Sequence, residues 1–417
     1  MLEFKTWPQL FLGLPFPYKM AHMSAQRIGK NVWAISTANF FIAGFTKCYM
    51  LLPAYMAASG VVDPGRVGWL MGSFYISSFV RPFVGWFTDS AGFRRVLLFS
   101  GALASLSGLG ILVTNPRSMV FLTGWRILSG VAYSLFAVAL TAYQSLAVTG
   151  EDRGAGLSVV SSTTNLPYLL VVPACEALLA AGFLKTFLLI PVLMGVGTCV
   201  LALRLPQVDM LRPAKRGSGV KTAAVLANPQ VRMLLQSVFL FCAVDAGLLS
   251  ISALGRERGI SVSAFFAASA VSSLAIRFFG RSLVDRLPRV RTSWLCAVAC
   301  ALFMASCALP VVRGAFGFGI CGILYGLFIG LGYPELLALI IDVAPPEQRS
   351  RVTSLFWFFM GLSYLALPVV TGYLAAVVRY RAAFVLLNLA LIPLVVFLGL
   401  KWEKLQTKPL APAENQH

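Results

Sequence analysis

The chain has 417 residues, of which 58 % are hydrophobic and 12 % charged, and its mean hydropathy is +0.81. Soluble domains carry about 25 % charged residues, so this chain lacks the polar surface that a water-soluble protein of its length needs, and an integral membrane protein is expected. The 34 Lys+Arg against 15 Asp+Glu give a formal net charge of +19; the excess lies in short segments between apolar runs, which excludes a nucleic-acid partner and reads as membrane orientation.

A bilayer core about 30 Å thick needs about 20 apolar helical residues per crossing. In chain order the sequence predicts a cytoplasmic N-terminal tail over 1–30. Its apolar stretch 7–18 is too short to span and is broken by Pro8, Pro15 and Pro17; it reads either as an interfacial anchor or as an upstream extension with Met20 or Met23 as the effective start. Helices follow over 32–57, 67–88, 95–114, 118–147, 154–181 and 186–205, then over 231–254, 263–284, 293–311, 315–343, 352–377 and 382–401. The fold class expected is therefore all-α, with twelve transmembrane helices in two six-helix bundles, 31–205 and 230–401. A cytoplasmic linker over 206–229 joins the bundles and a tail over 402–417 ends the chain. Twenty-one of the 34 basic residues fall on the side that holds both chain ends, eight on the other side and five within helices. That bias predicts cytoplasmic termini.

The eight cysteines all fall in apolar runs and read as small hydrophobes. With His22 and His417 as the only histidines, neither a metal nor another cofactor is expected. Phosphate-loop, metalloprotease and nucleophile-elbow motifs are missing, which weakens an enzymatic reading.

The two halves repeat. A shift of 196 residues lays Ser77 on Ser273, Arg81 on Arg277, Phe83 on Phe279, Asp89 on Asp285 and Arg95 on Arg291; further on, Gly130 meets Gly326 and Arg153 meets Arg349. Six helices per half give both halves the same orientation, the parallel-repeat arrangement of transporters whose site lies between halves near the midplane.

Between the second and third helices, Gly85-Trp-Phe-Thr-Asp89-Ser-Ala-Gly92-Phe-Arg94-Arg95 resembles the Gly-x-x-x-Asp-Arg-x-Gly-Arg-Lys signature of the major facilitator superfamily, with Phe93 where the signature has Arg. A degraded second copy ends in Asp285-Arg286. Arg126-Ile-Leu-Ser-Gly130 resembles the Arg-x-x-x-Gly motif of proton-coupled members, the segment from Phe45 to Tyr55 resembles the first helix of bacterial sugar- or siderophore-efflux members, and the chain as a whole resembles sugar-, siderophore- or drug-efflux members. The resemblance implies alternating access around a cavity lined by helices 1, 4, 7 and 10. It also implies a gate built from Gly85, Asp89, Arg94, Arg95, Asp285 and Arg286. Helix 5 departs from the antiporter pattern: Asn165-Leu-Pro167-Tyr168 and Val172-Pro173-Ala-Cys-Glu176 keep the proline and lose the glycines.

An ionisable group at the centre of a membrane helix costs about 2.5–3.5 kcal/mol on insertion scales, so retained ones face a cavity or a partner. Lys47, Arg126, Asp245 and Glu335 place one on each of helices 1, 4, 7 and 10, cations in the first half and anions in the second. That division reads as two ion pairs between halves, or as a site for an amphoteric solute. Lys47–Asp245 also reads as a purely structural pair, and Glu335 with Asp342 as part of a gate. Asp245 and Glu176 are the candidate proton carriers, because a carboxyl in an apolar site holds its proton to higher pH than in water; Arg126 would tune that carboxylate or hold an anionic solute group. Asn39, Tyr49, Tyr133, Asn165, Tyr168, Trp357 and Tyr364 complete the candidate solute contacts. The expected function is proton-coupled export of a small polar or zwitterionic compound across a bacterial inner membrane by a monomer embedded in lipid. Import of a sugar, carboxylate or amino-acid-like solute is the alternative, and a transport-derived sensor a more distant one.

Overall fold

The computed structural model describes residues 30–147, 160, 162–205, 222–279, 287–345 and 348–406. Among these the helices assemble into twelve consecutive spans. Span 1 comprises Lys30–Cys48, Tyr49–Leu51 and Leu52–Ala58; span 2 comprises Pro64–Ser73, Phe74–Phe79 and Arg81–Ala91. Spans 3 to 6 are Phe93–Val113, Met119–Ala147, Leu166–Ala180 and Leu184–Arg204. After a short helix, Thr222–Ala227, span 7 comprises Pro229–Asp245, Ala246–Ser250 and Ile251–Arg258. Spans 8 to 12 are Ser263–Phe279, Arg289–Ser306, Gly314–Val343, Arg349–Val378 and Tyr380–Gln406. Eight of these are long and apolar enough to cross a bilayer, and Leu166–Ala180 and Ser263–Phe279 are shorter apolar helices. Span 2 is interrupted and span 9 opens with Arg289 and Arg291, so their apolar runs are diluted.

Three spans change winding near their middle, and two of the three changes have a proline just downstream. Pro53 and Pro82 lack an amide proton for the carbonyl four residues back, and the tightened turns Tyr49–Leu51 and Phe74–Phe79 stand immediately before them. In span 7 the tight segment Ala246–Ser250 contains Gly247, a weak helix former. Pro167 lies in the first turn of the segment Leu166–Ala180, and Pro173, Pro334 and Pro368 lie inside helices. Gly92, at φ +84°, makes the sharp turn from span 2 into span 3.

The repeat is present in three dimensions. Gly130 lets span 4 lie against span 2, where a methyl group would meet the Phe74 carbonyl at 1.9 Å and the Ser77 hydroxyl at 2.8 Å. Gly326 does the same for spans 10 and 8, with the Ser269 carbonyl at 2.3 Å and the Ser272 hydroxyl at 2.1 Å. Close backbone approach through small residues is how helices associate where lipid removes the hydrophobic drive.

We call the end holding the start of span 1 and the end of span 12 the terminal face, and the other end the distal face. One apolar core joins the first half to the distal part of the second, taking in Leu248, Leu254, Val262, Phe265 and Phe266. A separate core, including Val231, Leu235, Leu339, Val352 and Trp402, belongs to the terminal part of the second half alone. Spans 2 and 11 make the tightest contact between halves: a methyl on Gly68 would meet the Pro368 carbonyl at 2.2 Å, and one on Gly372 the Pro64 carbonyl at 2.4 Å.

Overpacking of such a contact costs about 1–3 kcal/mol. Gly68→Leu is therefore expected to prise spans 2 and 11 apart, raising labelling of mid-depth cysteines by an impermeant maleimide added from the distal side. Unchanged labelling would show that this contact does not hold the distal face shut.

Candidate functional site

The described contacts between halves lie in the distal part and at mid-depth. At the distal end Arg256 of span 7 donates to the Ala54 carbonyl of span 1 at 3.0 Å. Beside it the Glu176 carboxylate of span 5 caps span 8: Oε1 accepts from the Val262 amide at 2.8 Å, and Oε2 from the Ser261 hydroxyl at 2.7 Å and the Ser263 amide at 2.9 Å, with the Ser263 hydroxyl also donating. The free amides of a helix N-terminus carry partial positive charge, so an anion from one half is held by the helix dipole of the other. Nearer the centre, Tyr168 of span 5 stacks on Phe266 of span 8 at 5.1 Å between ring centres, and Tyr75 of span 2 on Tyr364 of span 11 at 4.8 Å. Phe79–Phe358 at 5.2 Å and Arg81 over the Trp357 ring at 5.7 Å are the contacts furthest toward the terminal face.

Inward of that distal seal, ionisable and phenolic side chains of the two halves come together at mid-depth, and we call their surroundings the cleft. Asp245 ends the first segment of span 7 and Lys47 is the penultimate residue of that of span 1, so both stand next to the turn where their span tightens. Both remain half-buried at mid-depth. The Lys47 ammonium sits 4.4 Å from the centre of the Tyr168 ring, and the Tyr325 hydroxyl donates to the Asp245 carboxylate. The two charges attract through space, yet no ion pair within 4.0 Å joins them. Arg126 is 3 % exposed; its guanidinium lies 4.7 Å from the Tyr49 ring centre and 5.0 Å from that of Phe74, and Nε reaches the Leu70 carbonyl at 3.5 Å. Its Nη1 has no hydrogen-bond partner.

The remaining candidates divide between the cleft and the bundles. Tyr133 is half-buried and in electrostatic reach of Lys47, and Tyr49 lies beneath Arg126. Asn39 is spent within the first half, donating to the Val160 carbonyl and the Thr163 and Thr164 hydroxyls at 2.8–3.0 Å. Asn165 precedes span 5 without a side-chain capping bond. Glu335 does not reach across to Arg126: 1 % exposed, it pairs with Arg289 at 3.5 Å, and Arg289 also holds Asp342 at 2.7 Å. Of the two readings, an Arg126–Glu335 ion pair between halves is not formed, because Arg289 at the start of span 9 offers Glu335 a partner inside its own bundle. Arg94 donates to the Leu203 carbonyl of span 6 within the first half, and Arg95 lies exposed at the start of span 3. Gly85 and Asp89 fall on the last segment of span 2, their side-chain positions outside the described residues, and Asp285 and Arg286 lie outside them altogether. Tyr325, Tyr75 and the Ser261–Ser263 turn escaped the sequence reading; a tyrosine in an apolar run carries no distinguishing local signal. No group of three metal-ligating side chains occurs among the described residues.

A family model described as Major Facilitator Superfamily matches residues 35–321 and 294–416. The chain belongs to the major facilitator superfamily. As a superfamily member it is a secondary transporter and not an enzyme. Among curated proteins it is similar to Multidrug resistance protein 2 of Bacillus subtilis (strain 168), 25 % identical over 144 residues; the match spans 34 % of this chain and 35 % of that protein. The solved nucleoside transporter NupG superposes with a TM-score of 0.74 at 12 % identity, covering 91 % of this chain and 100 % of that one. A bacterial homologue of the human lysosomal transporter Spinster, inward-facing and occupied, gives 0.65 at 13 % identity, covering 92 % and 98 %.

For this superfamily member the Glu176 cap is a bond that opening of the distal face must break. Hydrogen bonds to a charged group contribute about 1.5–3 kcal/mol each, so Glu176→Ala is expected to favour the distal-open state by at least about tenfold. Spin labels on spans 5 and 8 report the separation by pulsed electron resonance; an unchanged distance distribution would remove Glu176 from the seal.

Proposed function

We propose that this protein is a proton-coupled transporter of a small polar organic solute, acting as a monomer in a bacterial inner membrane with both chain ends in the cytoplasm. The single observation that carries the reading is the position of Asp245. It is a half-buried carboxyl at mid-depth, at the winding change of span 7, held by Tyr325 and attracted to Lys47 of the opposite half without a direct ion pair. A carboxylate placed so binds a proton or faces the Lys47 charge, and the two states pull differently on the halves. With the terminal face cytoplasmic, the sealed distal part and half-buried central charges describe an inward-facing state. The two bundles, 31–205 and 230–401, rock about the cleft, and the linker 206–229 with its basic residues keeps to the cytoplasmic side.

Two directions of solute movement have separate support. Export in exchange for protons is supported by the partial match to a protein named for multidrug resistance; in that reading a cationic part of the solute and the proton compete for Asp245. Import together with the proton is supported by the surplus of cations around the cleft, developed below.

Asp245→Asn removes the titrating group and keeps the shape. Transport by the variant in proteoliposomes is expected to lose its dependence on the pH gradient while the protein retains its monodisperse elution profile. Retention of the full pH dependence would exclude Asp245 as the proton carrier.

A further inference from the structure

Four cations stand within the spans: Lys47, Arg81, Arg126 and Arg277. Arg81 and Arg277 are equivalent under the repeat, and both lie in electrostatic reach of the Tyr333 phenol of span 10, one from each half. Among the described residues none of the four has a carboxylate within 4.0 Å. Their existing contacts are rings and neutral oxygens: Tyr168 for Lys47, Ser134 Oγ and Trp357 for Arg81, Tyr49, Phe74 and the Leu70 carbonyl for Arg126. Arg126 Nη1 and Arg277 Nε are buried without an acceptor. The other described acids are committed elsewhere: Asp63 pairs with Arg66, Glu176 and Glu257 stand at the distal end, Glu335 and Asp342 surround Arg289, and Glu403 accepts from Trp294. Among the described residues Asp245 is left as the one carboxyl for these four cations.

Charges of one sign in a low-dielectric cleft focus the field and concentrate solutes of the other sign, and membrane-buried cations are retained where an anion or water meets them. We infer that the solute is an organic anion, its acidic group held by Lys47 and the buried Arg126, with Arg81 and Arg277 drawing it in and the cleft tyrosines packing its apolar part. This rests on the transporter reading above and adds the charge of the cargo.

The coupling sign follows. Around Asp245 stand Lys47 of span 1, Tyr75 of span 2, Tyr168 of span 5, Cys300 of span 9, Tyr325 and Tyr333 of span 10, and Cys242 on its own helix; of these Lys47 is the one basic group. Protonating Asp245 therefore makes the cleft more positive and strengthens anion binding. By reciprocity a bound anion strengthens proton binding equally. Anion and proton travel together rather than in exchange.

The test is affinity selection from a bacterial metabolite extract by the purified full-length protein in lipid nanodiscs, at pH 5.5 and pH 8, with bound compounds identified by mass spectrometry. Retained compounds are expected to be net-negative, and retention of a carboxylate or sulfonate to be about tenfold greater at the lower pH. Asp245→Asn, which imitates the protonated acid, is expected to retain them equally well at both values. Arg277→Gln is expected to lose retention about tenfold while Arg277→Lys keeps most of it, which separates lost charge from lost folding. Retention of neutral or cationic compounds, or loss of binding in Asp245→Asn, would overturn the anion inference and leave the transporter reading standing. Retention of nothing at either pH, together with no protein-dependent movement of any extract compound into proteoliposomes, would overturn both.

Discussion

A charge carried to the middle of a membrane must find a partner or water, and the way each charge here meets that demand sorts the rigid parts of the molecule from the moving ones. Glu335 is met by Arg289 inside the second bundle, so nothing about that pair changes when the halves rock. Glu176 is met by amides of the opposite half, so its partners are lost whenever the distal face opens. Lys47 leans on Tyr168, which itself stacks across the interface on Phe266. The same electrostatic rule thus supplies a fixed strut, a latch and a working group, distinguished by which half provides the partner.

The winding changes in spans 1 and 7 place the working groups. Lys47 lies in the last turn of the first segment of its span, where a cation is favoured by the negative end of the helix dipole; Asp245 closes the first segment of span 7, where an anion is opposed by it. The Tyr325 hydroxyl offsets that opposition by donating to the carboxylate.

Lipid makes the fold legible in the sequence. Every crossing demands a long apolar run, and the twelve runs predicted correspond to the twelve spans found, with ends displaced by a few residues where span 5 is described only from its middle and span 9 begins early at Arg289. The repeat was legible too, because Gly130 and Gly326 serve the same close approach in each half. The partners of the charges were not. Spacing along a helix says which residues share a face, but Glu335 chooses Arg289 and Asn39 chooses Val160, Thr163 and Thr164 through packing between helices distant in sequence. Tyr325 and Tyr75 were hidden for the same reason: a phenol matters here through what another span brings to it.

The number of titrating groups in the cleft also constrains the energetics of transport. Each elementary charge moved across the membrane is worth about 2.3 kcal/mol per 100 mV. On the proposed reading, with Asp245 as the single carboxyl among the described residues between the halves, one proton would accompany each solute, and a monovalent anion would then cross without net charge. The membrane potential neither helps nor hinders that cycle, which runs on the pH gradient and the solute gradient alone. A divalent anion carried inward with one proton would work against an interior-negative potential by the full cost of one charge, so a cleft with one carboxyl suits a monoanion best. A second proton site would lift that restriction, and Glu176 is poorly placed to supply it: four donors from span 8 already hold it at the distal seal, where losing its charge would loosen the latch rather than balance the cargo.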